Sequence, residues 1–328
     1  MGNLGDELKK LIPKGFAERK AAVIKRLKEH PEAKRIKEAF PDRVDNLTHP
    51  TNYGSLSRHL ASFDNCRGCK DLVGCQNDHK GHCSVVEENP DDDKGLIYRL
   101  QKCPLLLSHE KQQKVMGKIK SHFIPDHIVN ATFESIDLDS HRSAAIIKAM
   151  DLCENFEVGK SKKGLYLYGQ MGVGKSLISG AIAQELASQG VDVAMVYVPD
   201  FMSEAKDAIG SKTETVLSKL EALQNVTVLI LDDIGAEYLT TWTRDEILGP
   251  ILQRRMERLV TIYTSNLTIK ELRQHLINVK DAAKTMDQRQ HEKKAERILE
   301  RIEPFAEVLH VGGRNRRRDN SHNTGGKL

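Results

Sequence analysis

Apolar residues change their spacing twice along the chain. Near the start, Phe16, Val23 and Leu27 return at helical intervals with Lys20 and Ile24 between them, which predicts an amphipathic helix. Between Cys66 and Cys103 no period holds, although Glu87–Asp93 reads as an acidic turn and Lys111–Lys120 has helical potential. From about residue 131 the pattern alternates between apolar runs of strand length and amphipathic stretches. GLYLY (164–168), VAMVYV (193–198), VTVLIL (226–231), VTIYTS (260–265) and EVLHV (307–311) read as strands. Residues 140–156, 176–188 and 200–224 read as helices, with Cys153 on the apolar face of the first beside Ile146 and Met150. Strands separated by helices predict an α/β fold whose parallel sheet is covered on both faces.

A chain of 328 residues is long for one core and suits two domains. The expected division is a first domain over 1–104, a linker over 105–130, a nucleotide-binding domain over 131–317 and a flexible basic tail over 318–328. No run reaches the roughly 18–20 apolar residues needed to span a bilayer, and residues 1–16 lack the apolar core of a secretory signal. A soluble, cytoplasmic protein with no membrane partner is expected, and there six cysteines read as metal ligands or core before disulfides. The net charge of +4 excludes a broadly basic nucleic-acid coat. It is unevenly spread: Gly2–Phe40 holds eleven basic against six acidic residues, and Arg314–Leu328 holds five against one. Such a tail binds phosphate loosely. Lys206 and Lys212 are further candidates for single-stranded DNA contact, while 15 Phe and Tyr with one Trp leave little for base stacking.

Gly169-Gln170-Met171-Gly172-Val173-Gly174-Lys175-Ser176 fits G-x-x-x-x-G-K-[ST], directly after a strand and opening a helix. Its glycines let backbone N–H groups, through Leu177, wrap around phosphate oxygens. Lys175 reaches the β- and γ-phosphates of ATP, and Ser176 offers its hydroxyl to Mg²⁺. The dinucleotide pattern G-x-G-x-x-G fails because Leu177 stands at its third glycine. Asp232 and Asp233 end the apolar run LIL, one placed to hold Mg²⁺ and the other to polarise the attacking water; the pair suggests hydrolysis. Asn266, at the tip of the next strand, can hydrogen-bond that water or the γ-phosphate.

Together GLYLYGQMGVGKS, LILDDIGAE, TSNL and AERILERIEPFAEVLHVGGRNRR resemble the AAA+ replicative helicase loaders of the DnaI/DnaC type. The resemblance covers roughly 131–317 and extends to the N-terminal part through its cysteine spacing. It implies an AAA+ P-loop ATPase preceded by a small helical zinc-binding domain. The implied activity is ATP-dependent loading of a hexameric replicative helicase onto single-stranded DNA, with other primosome initiators as further partners and self-association through the ATPase domain. It places Lys175 and Ser176 in Walker A, Asp232 in Walker B and Asn266 at sensor 1. It makes Arg297 and Arg301 candidates for an arginine finger acting on a neighbouring subunit, Arg301 favoured, and Arg316 or Arg317 a sensor in cis. Most AAA+ proteins carry Glu where this chain has Asp233; the shorter side chain predicts slow hydrolysis. Related readings are a transposition ATP-binding subunit of the IstB type and a zinc-bearing adaptor that binds ATP without turnover; a metabolic P-loop kinase is disfavoured by Asn266 and the paired arginines.

The cysteines run Cys66-x2-Cys69-x5-Cys75-x7-Cys83-x19-Cys103. Cys-x2-Cys places two thiolates on one tetrahedral Zn²⁺ at about 2.3 Å. From spacing alone Cys75, His79, His82, Cys83 and Cys103 all compete for the remaining positions. The family resemblance, through Gly81-His82 and Cys103-Pro104, points to Cys66, Cys69, His82 and Cys103. A closed set of four would staple a small domain without catalysing anything.

Overall fold

The computed structural model describes residues 21–46, 53–91, 95–207, 214–281 and 287–316, apart from Val23, Arg26 and Leu27. The expected N-terminal helix face, Lys212, Arg317 and most of the basic tail lie outside these residues. The chain divides into two compact units, Met1–Gln112 and Gln113–Leu328.

The first unit is not purely helical. Helices α1 (Pro31–Ala39) and α2 (Tyr53–Arg67) pack on an antiparallel hairpin of β1 (His82–Glu88) and β2 (Leu96–Lys102). The hairpin arises because SVV and LIY are rich in β-formers and the acidic stretch between them turns the chain. Among the described residues its core is Ala33, Ile36, Leu56, Leu60 and Leu96, with Phe40, Val86 and Tyr98 at the margin. Glu32 is buried among them because Arg35 donates two 2.8 Å hydrogen bonds to its carboxylate. The unit boundary falls within α3 (Pro104–Lys118).

In the second unit a six-stranded sheet runs in the order β3 (Ile119–His122), β5 (Val193–Tyr197), β6 (Val228–Asp232), β7 (Val260–Ser265), β4 (Gly164–Tyr168), β8 (Ala306–His310), every pair parallel. The edge strand β3 and the short helix α4 (Asp126–Val129) correct the expectation of a linker over 105–130. Ile119 registers opposite Val193, and four residues of strand were too few to stand out in the sequence. Alternate residues of each strand enter opposite cores. Leu165, Leu167, Met195, Ile230 and Ile262 meet α5 (Ser143–Glu154) and α6 (Lys175–Ser188). Tyr166, Val196, Leu229 and Tyr263 meet the other layer: α7 (Val198–Asp207), α9 (Gly249–Arg255), α10 (Ile269–Ile277) and α11 (Gln288–Leu299). Helix α8 (Glu214–Asn225) precedes β6. On α5, Ile146, Ala149 and Cys153 are buried as their i, i+3, i+7 spacing requires, whereas Met150, turned about 100° from Ala149, is 49% exposed. No helix among the described residues is long and apolar enough to cross a membrane.

Candidate active site

A cleft of about 500 Å³ opens along the C-terminal ends of the central strands. Sheet order decides what meets there. Strand β7 lies between β6 and β4, so Asn266, the residue after β7, stands between the aspartates at the end of β6 and the phosphate loop after β4. Asn266 Nδ2 donates to Asp233 Oδ1 at 2.8 Å, and Asn266 Oδ1 accepts from Lys175 Nζ at 2.8 Å. Lys175 also donates to the carbonyls of Gly169 and Gln170, each at 2.9 Å. Asp232 is buried and accepts from Thr264 Oγ1 at 2.6 Å. Asp233 has φ 60°, in the left-handed region that Asp tolerates better than most residues; its N–H donates to Thr264 Oγ1 at 2.9 Å. Its carboxylate is thereby turned toward the cleft it lines.

The loop itself fits phosphate. Gly172 and Gly174 have φ 80° and 101°, and an added Cβ would come within 2.1 Å of Asn315 Oδ1 and 2.6 Å of Arg142 Nη1 respectively. Those neighbours hold the loop from behind. Arg316 N–H donates to the Gly172 carbonyl at 3.0 Å, and both Arg316 and the buried Arg142 reach the Val173 carbonyl, at 3.5 and 3.3 Å. With these carbonyls held by donors behind the loop, N–H groups of the loop are left for the anion. Asp139, bound to Arg316 at 3.0 Å, anchors the clasp. The His141 backbone N–H and then Arg316 hold its carboxyl below the usual range.

Of the residues expected to bind nucleotide, Met171, Gly172, Gly174, Lys175, Ser176, Leu177, Asp232, Asp233 and Asn266 line the cleft. Gly169, Gln170 and Val173 take part through their backbone carbonyls. Arg317 lies outside the described residues, and it is Arg316 that lines the cleft. Phe123, Pro125, His127 and Ile128 form a further wall that sequence reasoning did not find, since nothing about a segment some fifty residues before the phosphate loop marks it as part of that site. Tyr197 and Asp200, from the end of β5 and the start of α7, were likewise missed. Neither Arg297 nor Arg301 lines this cleft. Arg301 Nε donates to Gln253 Oε1 at 2.8 Å, and burial followed by the charge of Arg297 lowers its pKa; Arg297 is exposed.

The expected zinc ligands are only partly brought together. Among the described residues no three His, Cys, Asp or Glu side chains converge as a metal-holding group. His82 turns away: its Nδ1 lies 3.1 Å from the Lys80 carbonyl, and it lines a separate cleft with Asn65, Ser84 and Tyr98. Backbone and amide donors point at three of the sulfurs instead, Gly81 N–H at Cys75 and Leu106 N–H at Cys103, both 3.4 Å, and Asn77 Nδ2 at Cys66, 3.3 Å. Cys69 neighbours all three; loss of water and then the thiols of Cys75, Cys66 and Cys103 push its pKa up. Gly81 N–H and then Asn77 N–H pull that of Cys75 down. Cys83 points to Gln101 Nε2 at 3.8 Å.

Comparison with known proteins bears on the family. A family model for IstB-like ATP binding proteins matches residues 99–324. The chain is 34% identical to the replicative helicase loader DnaI of Bacillus subtilis (strain 168) over 279 residues, 84% of this chain and 85% of the relative. It is 29% identical to the replicative helicase loader DnaC of Escherichia coli (strain K12) over 127 residues, 38% of this chain and 51% of that one. A crystal structure of DnaI superimposes with a TM-score of 0.52 at 40% identity, covering 62% of this chain and 99% of that one.

Proposed function

This chain belongs to the DnaI/DnaC-type replicative helicase loaders within the IstB-like ATP-binding family, and we propose that it binds the hexameric replicative DNA helicase and, using ATP, places it on single-stranded DNA during replication initiation. The observation that carries the ATPase part is the hydrogen-bonded line from Lys175 through Asn266 to Asp233 beside the phosphate loop.

ATP with its Mg²⁺ supplies the phosphoanhydride that is cleaved. The loop N–H groups and Lys175 would hold its β- and γ-phosphates, and Ser176 and Asp232 would hold the metal. To do so Lys175 exchanges present acceptors, among them the Gly169 and Gln170 carbonyls and Asn266 Oδ1, for phosphate oxygens, and Asn266 Oδ1 is then free to meet the water. Asn266 and Asp233 then orient a water toward the terminal phosphorus. Asp233 accepts its proton as the bond to the bridging oxygen breaks. Hydrolysis is slow because the Asp233 carboxylate is one methylene shorter than the usual Glu. Arg301 or Arg297, remote from their own cleft, complete the site of an adjoining copy, so turnover reports assembly.

In the first unit a structural Zn²⁺ adds to the packing of Ala33, Ile36, Leu56, Leu60 and Leu96, the buried apolar cluster among its described residues. Sulfur is the donor type that suits Zn²⁺, and N–H donors at the sulfurs stabilise thiolate charge. Cys66, Cys69 and Cys103 stand as ligands, and Cys75 takes the place of His82 as the fourth: the charges of Cys75, Cys66 and Cys103 all act on Cys69, whereas His82 Nδ1 lies 3.1 Å from the Lys80 carbonyl. This unit carries the helicase-binding surface.

Native mass spectrometry with the organism's replicative helicase, with and without ATP, tests the loader role. A loader–helicase complex whose stability depends on nucleotide is expected; no complex under either condition overturns the role and leaves the ATPase intact.

A further inference from the structure

Glu237 is buried beside the hydrolytic centre without lining its cleft. Its Oε2 accepts from Gly235 N–H at 2.6 Å, and its Oε1 lies 3.1 Å from Nε2 of His275, in the last turn of α10. An ionised carboxylate only accepts, so Nε2 is the protonated ring nitrogen. Gly235 stands two residues after Asp233 at φ 94°, where an added Cβ would come within 2.7 Å of Leu267 Cδ1. The two residues before it are held from β7. Asp233 N–H donates to Thr264 Oγ1, Ile234 N–H donates to the Thr264 carbonyl at 2.9 Å, and Ser265 Oγ donates to the Ile234 carbonyl at 2.5 Å. The strand thus fixes Asp233 and Ile234, and Glu237 fixes the residue beyond them.

A carboxylate taken out of water is retained only where donors meet its oxygens. Here one donor is the backbone of the Asp233 turn and the other is a side chain on a separate helix. That helix reaches the centre from both ends. Asn266 precedes its N-cap, Thr268, by two residues, and His275 lies seven residues beyond the cap, about 10 Å along the axis. Displacement of α10 therefore moves Asn266 and the Glu237 contact together. Arg273 of α10 donates through Nε to Glu296 Oε1 at 2.6 Å on α11, where the next residue is Arg297. Leu272 and Leu276 share a core with Ala295, Ile298 and Leu299, so the two helices are packed as well as paired.

We propose that Glu237 and His275 are positioning residues for Asp233, through which the placement of α10 and α11 sets the rate of hydrolysis. Neither lines the cleft. Glu237 holds the Gly235 end of the turn, so that the Asp233 carboxylate keeps its direction toward the attacking water. Through Glu296 and Arg273, a shift of Arg297 on meeting an adjoining copy reaches that turn. The role rests on Asp233 accepting the proton; the contacts themselves do not.

Steady-state phosphate release beside nucleotide titration, with the full chain, ATP and Mg²⁺, tests it. Glu237→Ala and His275→Leu are each expected to lower kcat by about tenfold or more while ATP affinity stays within about twofold. His275→Gln keeps an N–H for the carboxylate and should recover most of the turnover. Arg273→Met releases α10 from α11 without touching Glu237, and should lower kcat by about threefold at unchanged affinity. Should His275→Leu unfold because the buried carboxylate has lost its donor, Glu237→Gln/His275→Leu leaves no charge to bury and replaces it. Unchanged turnover in Glu237→Ala or His275→Leu, equal losses of affinity and turnover in both, or His275→Gln no faster than His275→Leu overturns the positioning role. Unchanged turnover in Arg273→Met overturns the part given to α11. A wild type that releases no phosphate removes the hydrolytic reading and this one with it, whereas wild-type turnover with unchanged variants removes this one alone.

Discussion

Lys175 Nζ donates to Asn266 Oδ1 at 2.8 Å across 91 residues of sequence, and this contact occupies the lysine until phosphate arrives. The same amide group holds Asp233 at 2.8 Å, so nucleotide occupancy and placement of the attacking water are joined through one side chain. Lys175→Ala is expected to lower ATP affinity by about tenfold or more, since a charge-assisted phosphate contact is lost. Asn266→Ala should bind ATP with affinity close to wild type yet turn over about 100-fold more slowly. Asp233→Asn keeps the left-handed backbone within reach and removes the base, lowering turnover by about 10²- to 10⁴-fold. Nucleotide titration beside steady-state phosphate release separates the two effects. Equal losses of affinity and turnover in Asn266→Ala would contradict the relay.

Gly172 is the position where the phosphate loop meets its clasp. Gly172→Ala places a Cβ 2.1 Å from Asn315 Oδ1 at a φ of 80°, and the backbone strain alone costs about 1–2 kcal/mol. The variant should show a lower melting temperature and a smaller stabilisation by added ATP. Arg316→Ala should reduce the ATP-dependent shift while changing the nucleotide-free melting temperature less. Thermal unfolding with and without nucleotide measures both.

For the metal, one zinc per chain is expected in freshly purified protein. Cys75→Ser should lose it, together with stability of the first unit, whereas His82→Ala should retain it. Atomic absorption and circular dichroism before and after chelation decide between the two ligand sets.

Cys153 gives a pH dependence of defined sign. Burial first, and then the charge of Glu185, push its thiol up to about 12. An unfolded thiol ionises near 8.5, so above that pH the unfolded chain has released a proton that the folded chain keeps. Stability therefore falls as pH rises from about 8.5 toward 12, by about 1.4 kcal/mol per pH unit for this group, and the contribution is absent below that range. Denaturant titrations of wild type and Cys153→Ala at pH 8 and pH 10 should show the wild type losing more. Alkylation of Cys153 should be negligible until the chain unfolds.

Much of the ATPase unit was legible in the sequence because its signals are local. GLYLY and VTIYTS are strands over the residues their apolar runs mark, and the phosphate loop follows the first directly. Buried strands of a parallel sheet need continuous apolar runs, and a phosphate loop needs glycines at fixed offsets, so both are written in neighbouring residues. Strand β3 and the wall from Phe123 to Ile128 carried no such signal, because four residues of strand are too few for a pattern and the left-handed position, φ 59°, is held by Phe123 rather than by a glycine that would mark it.

The sequence by itself determined five strands of the ATPase sheet, β4 to β8, the phosphate loop, the aspartate pair and the supply of thiols. Tertiary structure alone decided which of these meet. Asn266 acts between Lys175 and Asp233 because β7 is inserted between β4 and β6, an order that chain sequence does not state. His82 stands at the start of β1, paired with Lys102, with its ring Nδ1 at the Lys80 carbonyl, whereas Cys75, outside that strand, lies beside Cys69. Side-chain type is a property of one residue; convergence depends on backbone paths that cross far apart in sequence, and packing of the whole unit sets those paths.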